Sequence, residues 1–544
     1  MENEASGHST ADVSEEQEET DLGEELSSAL SADFDFLGKP YYSRTYTAVE
    51  GLCDNYKLKI DTVRVEDVKD VKDVKDDEDD EDDEAVKDVK LEFAFPLHET
   101  YVKKIIASAS QAPFGKGEEK KVDKEVRDTW EIEGSRVSIE PNFSYRGTRS
   151  WSHQLEFYVL PDVCKGLGVP LTMASPQLEL YKMLIYEPGG HFLPHQDTQK
   201  TDGMFATVVV VLPSQHSGGE VHVTHAGSTA VLDVSSDSKE LGSVLAWYTD
   251  VVHEVKPVKS GYRVALSYNL IHATPNKPVP VFKTPNPLTD DEKTSRLRTV
   301  LEKWSKKEYE FRTVEIQRSG GEVKQPPYYA YTLGHDYSAR DLSTGIQCLK
   351  GSDAHKISLI LPIAKENGFR LGLANLKYKR SGCADDLYRH EEMIEELREE
   401  ERQRRIAAGE AEESIGDDDF DADACGTYSG PISMINLDEE KYYISNVVDL
   451  DGKALGTVSS AQDEEADGRK KKKRKIEEVE IKHAHWTVLP PDPFRDAEPD
   501  EEDYHHEGYM GNDPGDLTYW YARAVLIIYH ERDEKEIVPL LTGN

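Results

Sequence analysis

The segment from Leu178 to Leu270 constrains the fold of this chain most, because it is a dense series of short apolar runs. The runs are rich in Val, Tyr and Leu, and turn signals such as Pro-Gly-Gly, Ser-Gly-Gly and Lys-Ser-Gly separate them. Many short strands with closely spaced turns are typical of an all-β sandwich or barrel. We therefore predict a mainly β core with the strands Leu178–Tyr186, Thr207–Leu212, Glu220–His225, Thr229–Val234, Ser243–Thr249, Val251–Val255 and Tyr262–Leu270.

The sequence just before this segment predicts elements that flank the core. Pro96–Ala109 has apolar residues at helical spacing and is predicted to be a helix. Glu131–Glu140 and Gln154–Leu160 are predicted to be strands, and Pro161–Leu167 a short helix.

Composition divides the chain into six regions. The first is rich in Glu, Asp and Ser and contains a tandem Val-Lys-Asp repeat, and like charges at this density repel one another. Within it, the tyrosine-containing patch Phe34–Leu58 is a candidate to dock onto the folded body. The predicted organisation is a disordered acidic N-terminal region (1–90), a β domain with flanking helices (91–272), a Pro-rich linker (273–288), an accessory α/β region with a charged helix (289–450), a disordered polar and basic linker (451–482) and a C-terminal segment that packs on the folded body (483–544).

Charge and cysteine content exclude several classes of protein. A net charge of −41 at pH 7 disfavours broad electrostatic binding to nucleic acid or to anionic membranes. The five cysteines form no CxxC pair, which argues against a disulfide scaffold and a cysteine-rich zinc site. The N-terminus lacks the basic and apolar regions of a secretory signal, and no stretch reaches the roughly 18–20 apolar residues of a membrane helix. We therefore expect an intracellular protein without membrane contact.

Three residues of the β segment have the chemistry and positions expected of metal ligands. His195 and Asp197 form an H-x-D pair at a strand end, and side chains two apart on a strand point to the same face. His253 is the candidate for the third ligand. Two histidines and one carboxylate leave open coordination positions, which a non-haem Fe(II) oxygenase needs. Arg263, ten residues beyond His253, can pair bidentately with a distal carboxylate of a cosubstrate.

The ordered set of motifs resembles the prolyl 4-hydroxylase-like branch of the 2-oxoglutarate- and Fe(II)-dependent dioxygenases. The resemblance spans about Leu91–His272 and rests on Tyr186, His195, Asp197, Thr207, the turn Gly218-Gly219-Glu220, His253 and Arg263. It implies a double-stranded β-helix (a jelly roll) whose Fe(2+) is held by His195, Asp197 and His253. It also implies 2-oxoglutarate held by Arg263 with help from Tyr186. Ascorbate is a candidate reductant.

The resemblance implies an oxidoreductase that hydroxylates a C–H bond and releases succinate and CO2. The expected partner is a protein substrate, hydroxylated on a side chain such as proline. Two alternatives stay open. One is a nucleic-acid demethylase of the same superfamily, which typically carries a second Arg six residues after the cosubstrate Arg, where this chain has Asn269. The other is a catalytically silent jelly-roll scaffold, which has no need of the whole set of site residues.

Simpler interpretations of the same residues also exist. H-x-D pairs occur by chance in exposed turns, Arg263 could extend from a strand to the surface, and Tyr186 could be a core residue. Tyr181 and Trp247 are interpreted as packing residues. The histidines that compete with His253 are His191, His216, His222 and His225.

The basic run Arg469–Lys475 (RKKKKRK) is either a solvated charge cluster or a nuclear localisation signal bound by an import receptor. We expect the protein in the nucleus or cytoplasm, with the nucleus favoured. The acidic background disfavours nucleic-acid contact by this run. The acidic runs Asp77–Glu84 and Asp417–Asp423 are predicted to be solvated linkers.

Overall fold

The structure is a computed structural model. It describes residues 21–32, 34, 36–47, 52–61, 90–116, 119–142, 149–169, 176–272, 292–309, 313–316, 321–408, 432–455, 478–482, 484–495, 497, 499–505 and 515–543. Among these residues, none of the helices combines the length and apolar character needed to cross a membrane.

The first part of the chain is dominated by strands. Its helices are α1 (Leu22–Leu30), α2 (Glu99–Ile106), α3 (Trp151–Gln154) and α4 (Leu160–Leu167). Its strands are β1 (Tyr41–Thr45), β2 (Tyr56–Asp61), β3 (Lys90–Ala94), β4 (Ser110–Gln111), β5 (Phe114–Lys116), β6 (Glu119–Lys121), β7 (Arg127–Asp128), β8 (Trp130–Glu133), β9 (Val137–Pro141), β10 (Pro176–Tyr186), β11 (His191–His195), β12 (Met204–Val211), β13 (His216–Gly218), β14 (Val221–His225), β15 (Ser228–Leu232), β16 (Ser243–Tyr248), β17 (Val252–Val255), β18 (Val258–Gly261) and β19 (Arg263–His272).

Two antiparallel sheets share one hydrophobic core and form what we call the β lobe. The larger sheet has the order β1-β16-β12-β19-β10-β8-β4, and the smaller has the order β15-β14-β17-β11-β7. Val208 of the larger sheet and Val223 of the smaller sheet belong to the same core cluster. Every residue of β12 is buried, and β16 and β19 flank the strand in the sheet. The predicted mainly β, jelly-roll-like fold is confirmed.

The predicted strand Gln154–Leu160 is wrong. Residues Leu155–Val159 form a π-helical turn between α3 and α4, so the chain is helical from Trp151 to Leu167. Its buried side chains, which include Val159, Val163 and Leu167, recur every four residues, which is a helical period. The apolar density of the segment suggested a strand, but the periodicity of its apolar positions is helical.

The second part of the chain forms a C-terminal lobe. Its helices are α5 (Glu292–Ser305), α6 (Ala339–Leu342), α7 (Gly351–Glu366), α8 (Asp386–Ala407) and α9 (Glu534–Thr542). Its strands are β20 (Thr313–Ile316), β21 (Gly321–Lys324), β22 (Tyr328–Thr332), β23 (Phe369–Ala384), β24 (Met434–Asp449), β25 (Val479–Glu480), β26 (Val488–Leu489), β27 (Glu501–His505) and β28 (Asp516–His530). The main sheet has the order β25-β24-β23-β28-β22-β26, and β27 also pairs with β28.

Strand β28 is central to this sheet rather than an addition to its surface. It pairs with β23 from Phe369↔His530 to Cys383↔Asp516 and with β22 on its other side. Leu526 and Ile528 point into the core beneath α5 and α7, whereas Val525 and Ile527 point into a second core with α9. The accessory region and the C-terminal segment, predicted separately, therefore share one sheet.

The prediction of disorder for residues 1–90 fails for the part that the structure describes. Leu22–Leu30 is helix α1, and its residues Leu26 and Leu30 are fully buried against the C-terminal lobe. Strand β1 pairs with β16, and β2 lies between β3 and β9. The spacing of Leu22, Leu26, Ala29 and Leu30 is helical, and the surrounding acidic residues masked this pattern.

Several predicted segments lie outside the described residues. They are the Pro-rich linker at 274–287, the acidic runs Asp77–Glu84 and Asp417–Asp423, and the basic run Arg469–Lys475. The remaining domain boundaries stay predictions. The prediction of disorder at 451–482 is wrong for Val479–Glu480. These residues form strand β25, because they pair with β24 at the sheet edge.

Candidate metal centre

Two adjacent strands of the smaller sheet bring His195 and His253 together. His195 is the last residue of β11, and His253 is the second residue of β17. The two residues are direct partners in the antiparallel register, and their ring centroids are 4.2 Å apart. Partners in an antiparallel pair point to the same side of the sheet, so both imidazoles face one point.

Both imidazoles are held by the same local contact. His195 Nδ1 lies 2.8 Å from the carbonyl oxygen of Leu193, and His253 Nδ1 lies 3.0 Å from that of Val251. A carbonyl oxygen only accepts, so each Nδ1 donates its proton and each Nε2 keeps a free lone pair. A hydrogen bond of this kind fixes both the tautomer and the ring orientation of a metal-binding histidine.

Asp197 completes the cluster. Its Oδ2 lies 3.7 Å from His253 Nε2, and the ligand atoms of His195, Asp197 and His253 all lie within 4.8 Å of one another. Thr207 Oγ1 donates to Asp197 Oδ2 at 2.6 Å, and Trp247 Nε1 donates to the same oxygen at 3.2 Å. The carboxylate is therefore oriented by two donors from strands of the larger sheet.

The cluster favours the protonation states that bind a metal ion. Burial, together with the neighbouring His253, lowers the pKa of His195 to about 3. Burial by itself would raise the pKa of Asp197, but His253 and the hydrogen bond from Thr207 outweigh it and lower this pKa. A neutral imidazole and an ionised carboxylate are the forms in which these side chains coordinate metals.

Arg263 and Tyr186 lie on neighbouring strands of the larger sheet. They are direct partners in the register of β10 and β19, and the guanidinium carbon lies 5.4 Å from the centroid of the Tyr186 ring. Arg263 is only 2% exposed, and its Nε has no hydrogen-bond partner in the part of the chain that the structure describes. No carboxylate among the described residues forms an ion pair with it. A buried guanidinium without an acidic partner is costly, so this position favours an anionic ligand.

The turn Gly218-Gly219 packs against this arginine. Gly219 has a φ of +72°, which L side chains rarely adopt, and a Cβ there would lie 3.0 Å from Arg263 Cδ and 2.9 Å from Val258 Cγ2. The glycine therefore gives the turn its conformation and leaves room for the arginine side chain.

One cavity of about 500 Å³ joins the His–Asp–His cluster to Arg263. Tyr186, Lys182, Asn269, Phe192 and Leu193 line it as well. The charge of Lys182 is neutralised, because its Nζ lies 2.5 Å from Glu131 Oε1. Arg263 is thus a fully buried cation of this cavity that no carboxylate among the described residues neutralises.

These residues fit Fe(II) and 2-oxoglutarate. Two histidine nitrogens and one carboxylate are the donor set of a non-haem iron site with open positions. The unpartnered Arg263 lines the same cavity, and its fork matches the geometry of a carboxylate. The five residues predicted from the sequence as metal or cosubstrate ligands are therefore brought together around one cavity.

The competing histidines are located elsewhere. His191 has both ring nitrogens near carbonyl oxygens, at 3.0 Å from Gly189 and 3.0 Å from Glu125, which leaves no free lone pair. His216 is buried beside Ser214, and His222 faces Glu254 at 3.6 Å. His225 belongs to a separate group with Asp250 and His335, at the contact between the two lobes.

Sequence reasoning missed two features of the site. Trp247 was interpreted as a packing residue, but its indole donates to Asp197. The group around Asp250 depends on His335 and Lys350 from the C-terminal lobe, and no local motif signals that contact. Alternation along β16 could have indicated that Trp247 faces the same side as residues of the site.

Comparisons with known proteins agree with this chemistry. The sequence profile described as the 2OG-Fe(II) oxygenase superfamily matches residues 181–271. No curated protein sequence matches the chain.

Among solved structures, a Pseudomonas putida prolyl-4-hydroxylase shares 14% identity over 32% of this chain and 82% of that chain, with a TM-score of 0.21. A Trichoplax adhaerens prolyl hydroxylase, solved with a hypoxia inducible factor peptide fragment, shares 16% identity over 31% of this chain and 74% of that chain, with a TM-score of 0.22. A Burkholderia pseudomallei oxidoreductase of the 2OG-Fe(II) oxygenase family shares 15% identity over 32% of this chain and 77% of that chain, with a TM-score of 0.20.

The profile match covers the segment that contains the five residues predicted to bind the metal or the cosubstrate. Residues 181–271 are therefore a domain of the 2OG-Fe(II) oxygenase superfamily, and the protein is an Fe(II)- and 2-oxoglutarate-dependent dioxygenase.

Proposed function

We propose that His195, Asp197 and His253 hold Fe(II), that Arg263 and Tyr186 bind 2-oxoglutarate, and that the enzyme hydroxylates a side chain of a protein substrate. One observation carries the cosubstrate assignment. Arg263 is 2% exposed and has no acidic partner in the described structure, and it lines the same cavity as the His–Asp–His cluster.

In the proposed complex, the guanidinium of Arg263 forms a bidentate pair with the distal carboxylate of 2-oxoglutarate. The Tyr186 ring lies beside that guanidinium and limits its movement. With dioxygen, Fe(II) and 2-oxoglutarate supply the oxidation, in which one oxygen atom enters succinate as CO2 is released and the other enters the substrate C–H bond. The residues of this chain contribute orientation of the cosubstrate and exclusion of water from the cavity.

A protein substrate is supported by the resemblance to prolyl 4-hydroxylases and by the lining of the cavity. Phe192 lines it, with the Arg127 guanidinium 4.5 Å from the centroid of its ring, and Leu193 is 44% exposed. Apolar and aromatic contacts of this kind suit an uncharged side chain such as proline. A nucleic-acid substrate is disfavoured because Asn269 occupies the position of a second arginine and lines the cavity.

The test combines turnover with substrate capture. The purified full-length chain, supplied with Fe(II) and 2-oxoglutarate, should release succinate, and Asp197→Ala should release none. The Asp197→Ala chain, or the wild type with Mn(II) in place of iron, should retain substrate proteins from an extract. Wild-type enzyme should then add the mass of one oxygen atom to a residue of a captured protein. Succinate release that is equal in the wild type and Asp197→Ala would contradict the proposal.

A second outcome distinguishes an error in the substrate class from an error in the iron and cosubstrate assignments. If succinate release depends on Asp197 but the oxygen atom appears only in nucleic acid added to the assay, the iron and cosubstrate assignments stand. The protein substrate would then be wrong.

A further inference from the structure

The C-terminal lobe contacts the β lobe at two loops that contain or adjoin the proposed iron ligands. One loop, Gln196–Gly203, follows His195 and contains Asp197. The other is the turn Tyr248–Val251, which ends immediately before β17 and its His253. We call these the ligand loop and the ligand turn.

The ligand turn is held by a buried ion pair. Lys350 Nζ lies 3.0 Å from Asp250 Oδ1 and donates to Thr249 Oγ1 at 3.2 Å. His335 Nδ1 donates to Asp250 Oδ2 at 2.8 Å. The side chains of Asp250, His335 and Lys350 are 6%, 2% and 5% exposed. Charges that are buried this deeply require their partners, so the ligand turn depends on the C-terminal lobe.

A second contact extends the attachment. The backbone N–H of Gly351 donates to the Tyr248 hydroxyl at 3.1 Å, and that hydroxyl donates to the Leu167 carbonyl at 2.7 Å. The first turn of α7 is therefore connected through Tyr248 to α4 of the β lobe. The ligand turn is fixed by residues of the C-terminal lobe at both Tyr248 and Asp250.

The ligand loop is held by the same lobe. Gln199 Nε2 donates to Asp341 Oδ1 of helix α6 at 2.6 Å, and Arg340 of the same helix pairs with Asp202. The loop and the turn also contact each other, because Gln196 Nε2 donates to the backbone carbonyl of Asp250 at 2.8 Å. Both elements that set the separation of Asp197 and His253 are thus attached to the C-terminal lobe.

The group His225–Asp250–His335 does not favour a second metal ion. Its ligand atoms lie within 4.8 Å of one another, and His225 Nε2 is 3.4 Å from Asp250 Oδ2. However, the Lys350 ammonium lies 3.0 Å from the other oxygen of the same carboxylate. A fixed positive charge at that distance repels a cation in a buried site. The arrangement fits an ion pair that attaches one lobe to the other.

We propose that Lys350 is a positioning residue for the iron site, which acts through Asp250 to fix His253 relative to Asp197. The C-terminal lobe thereby sets the metal affinity of the β lobe without contributing a ligand. Supporting groups outside the ligand sphere orient metal ligands, and their loss typically lowers metal affinity about 10–100-fold. This inference rests on the proposed ligand set.

The test measures metal binding in the full-length chain by the electron paramagnetic resonance signal of free Mn(II), well below the unfolding temperature. Lys350→Met keeps the aliphatic stem and removes the charge, and it should raise the dissociation constant for Mn(II) about 10-fold. The apparent constant for 2-oxoglutarate at saturating metal should stay within about twofold, because Arg263 does not contact this group.

Lys356→Met is the matched control. Lys356 lies in α7, whose N-cap residue is Lys350, and its Nζ donates to the Tyr331 hydroxyl at 2.9 Å within the C-terminal lobe. Its loss should destabilise the lobe without changing Mn(II) affinity by more than about twofold. Equal loss of Mn(II) affinity in both variants would show that general destabilisation, rather than positioning, is responsible.

A second variant covers the case in which Lys350→Met does not fold because Asp250 is left unpaired. Asp250→Asn/Lys350→Met removes both buried charges and should likewise raise the dissociation constant for Mn(II) about 10-fold. Wild-type Mn(II) affinity in a folded variant of either kind would overturn the inference. His253→Ala distinguishes a failure of the proposed ligand set from a failure of the role of Lys350. If His253→Ala also binds Mn(II) like the wild type, the ligand set is wrong. If His253→Ala loses Mn(II) while the Lys350 variants keep it, only the role of Lys350 is wrong.

Discussion

His195 and His253 are direct cross-strand partners on β11 and β17, with ring centroids 4.2 Å apart, although their positions in the chain are distant. Trp247 packs against the second of these rings with a centroid distance of 4.5 Å and donates to Asp197 at 3.2 Å. A single indole therefore contacts two of the three proposed ligands. This arrangement makes the ligand geometry depend on residues that cannot bind iron themselves.

We expect Trp247→Phe to lower metal affinity about 10-fold, because it removes the N–H that orients the Asp197 carboxylate. The ring that packs on His253 is retained. Trp151→Phe is the matched control, since Trp151 is a buried tryptophan of the same lobe whose Nε1 donates to the Tyr268 hydroxyl at 2.9 Å. A Mn(II) titration should show weaker binding in Trp247→Phe than in Trp151→Phe. Equal Mn(II) affinities in the two variants would contradict a role for the indole.

Arg263→Ala should raise the apparent constant for 2-oxoglutarate about 100-fold or more. Losing one partner of a buried, hydrogen-bonded charge pair costs about 2–5 kcal/mol. Metal affinity measured without cosubstrate should change little, because Arg263 is not a ligand. Arg263→Lys should recover part of the loss, since lysine keeps the charge without the fork. An unchanged constant in Arg263→Ala would remove the 2-oxoglutarate assignment and leave the iron site.

Gly219→Ala should weaken 2-oxoglutarate binding as well as stability. The added Cβ would meet Arg263 Cδ at 3.0 Å in a backbone conformation with φ of +72°. Gly227→Ala provides the control, because Gly227 has a φ of +73° and a Cβ there meets nothing within 4 Å. Both variants carry a backbone strain of about 1–3 kcal/mol, so both should lose thermal stability. If the apparent constant for 2-oxoglutarate rises in Gly219→Ala and not in Gly227→Ala, the weaker binding results from displacement of Arg263. Equal constants in the two variants would contradict this role of Gly219.

Leu26→Ala should destabilise the protein by about 2–5 kcal/mol, the usual cost of truncating a buried leucine. Leu26 is 0% exposed and packs in the core of the C-terminal lobe, whereas Leu37, eleven residues later, is 93% exposed. Leu37→Ala should therefore change the free energy of unfolding by no more than about 0.5 kcal/mol. Denaturant unfolding of both variants provides the comparison, and equal stabilities would contradict the packing of α1.

Deletion of Arg469–Lys475 should move a fluorescent fusion of the full-length chain from the nucleus to the cytoplasm. Seven adjacent basic residues in polar sequence provide the charge that import receptors recognise. Replacement of the same residues by Gly and Ser should have the same effect as deletion. An unchanged distribution would favour the interpretation as a solvated charge run.

The proposed ligands were predictable from the sequence because their signals are local. The H-x-D pair, the Gly-Gly-Glu turn and the strand with Arg263 each occupy a few consecutive residues, and strand periodicity indicates which side chains share a face. The apolar run Asp516–His530 is a local signal of the same kind, and it forms strand β28. Helix α1 was missed because an acidic composition outweighed a short apolar pattern that was equally local.

The sequence by itself therefore determined the fold class of the β lobe and the residues with the chemistry of an iron and 2-oxoglutarate site. Only the tertiary structure decided that Trp247 donates to Asp197, that Arg263 is buried with no acidic partner among the described residues, and that Lys350 reaches Asp250. Lys350 and Asp250 lie in different lobes, and their contact depends on how two cores pack together. Periodicity along a strand or helix specifies which face a side chain occupies, but it carries no information about which distant element covers that face.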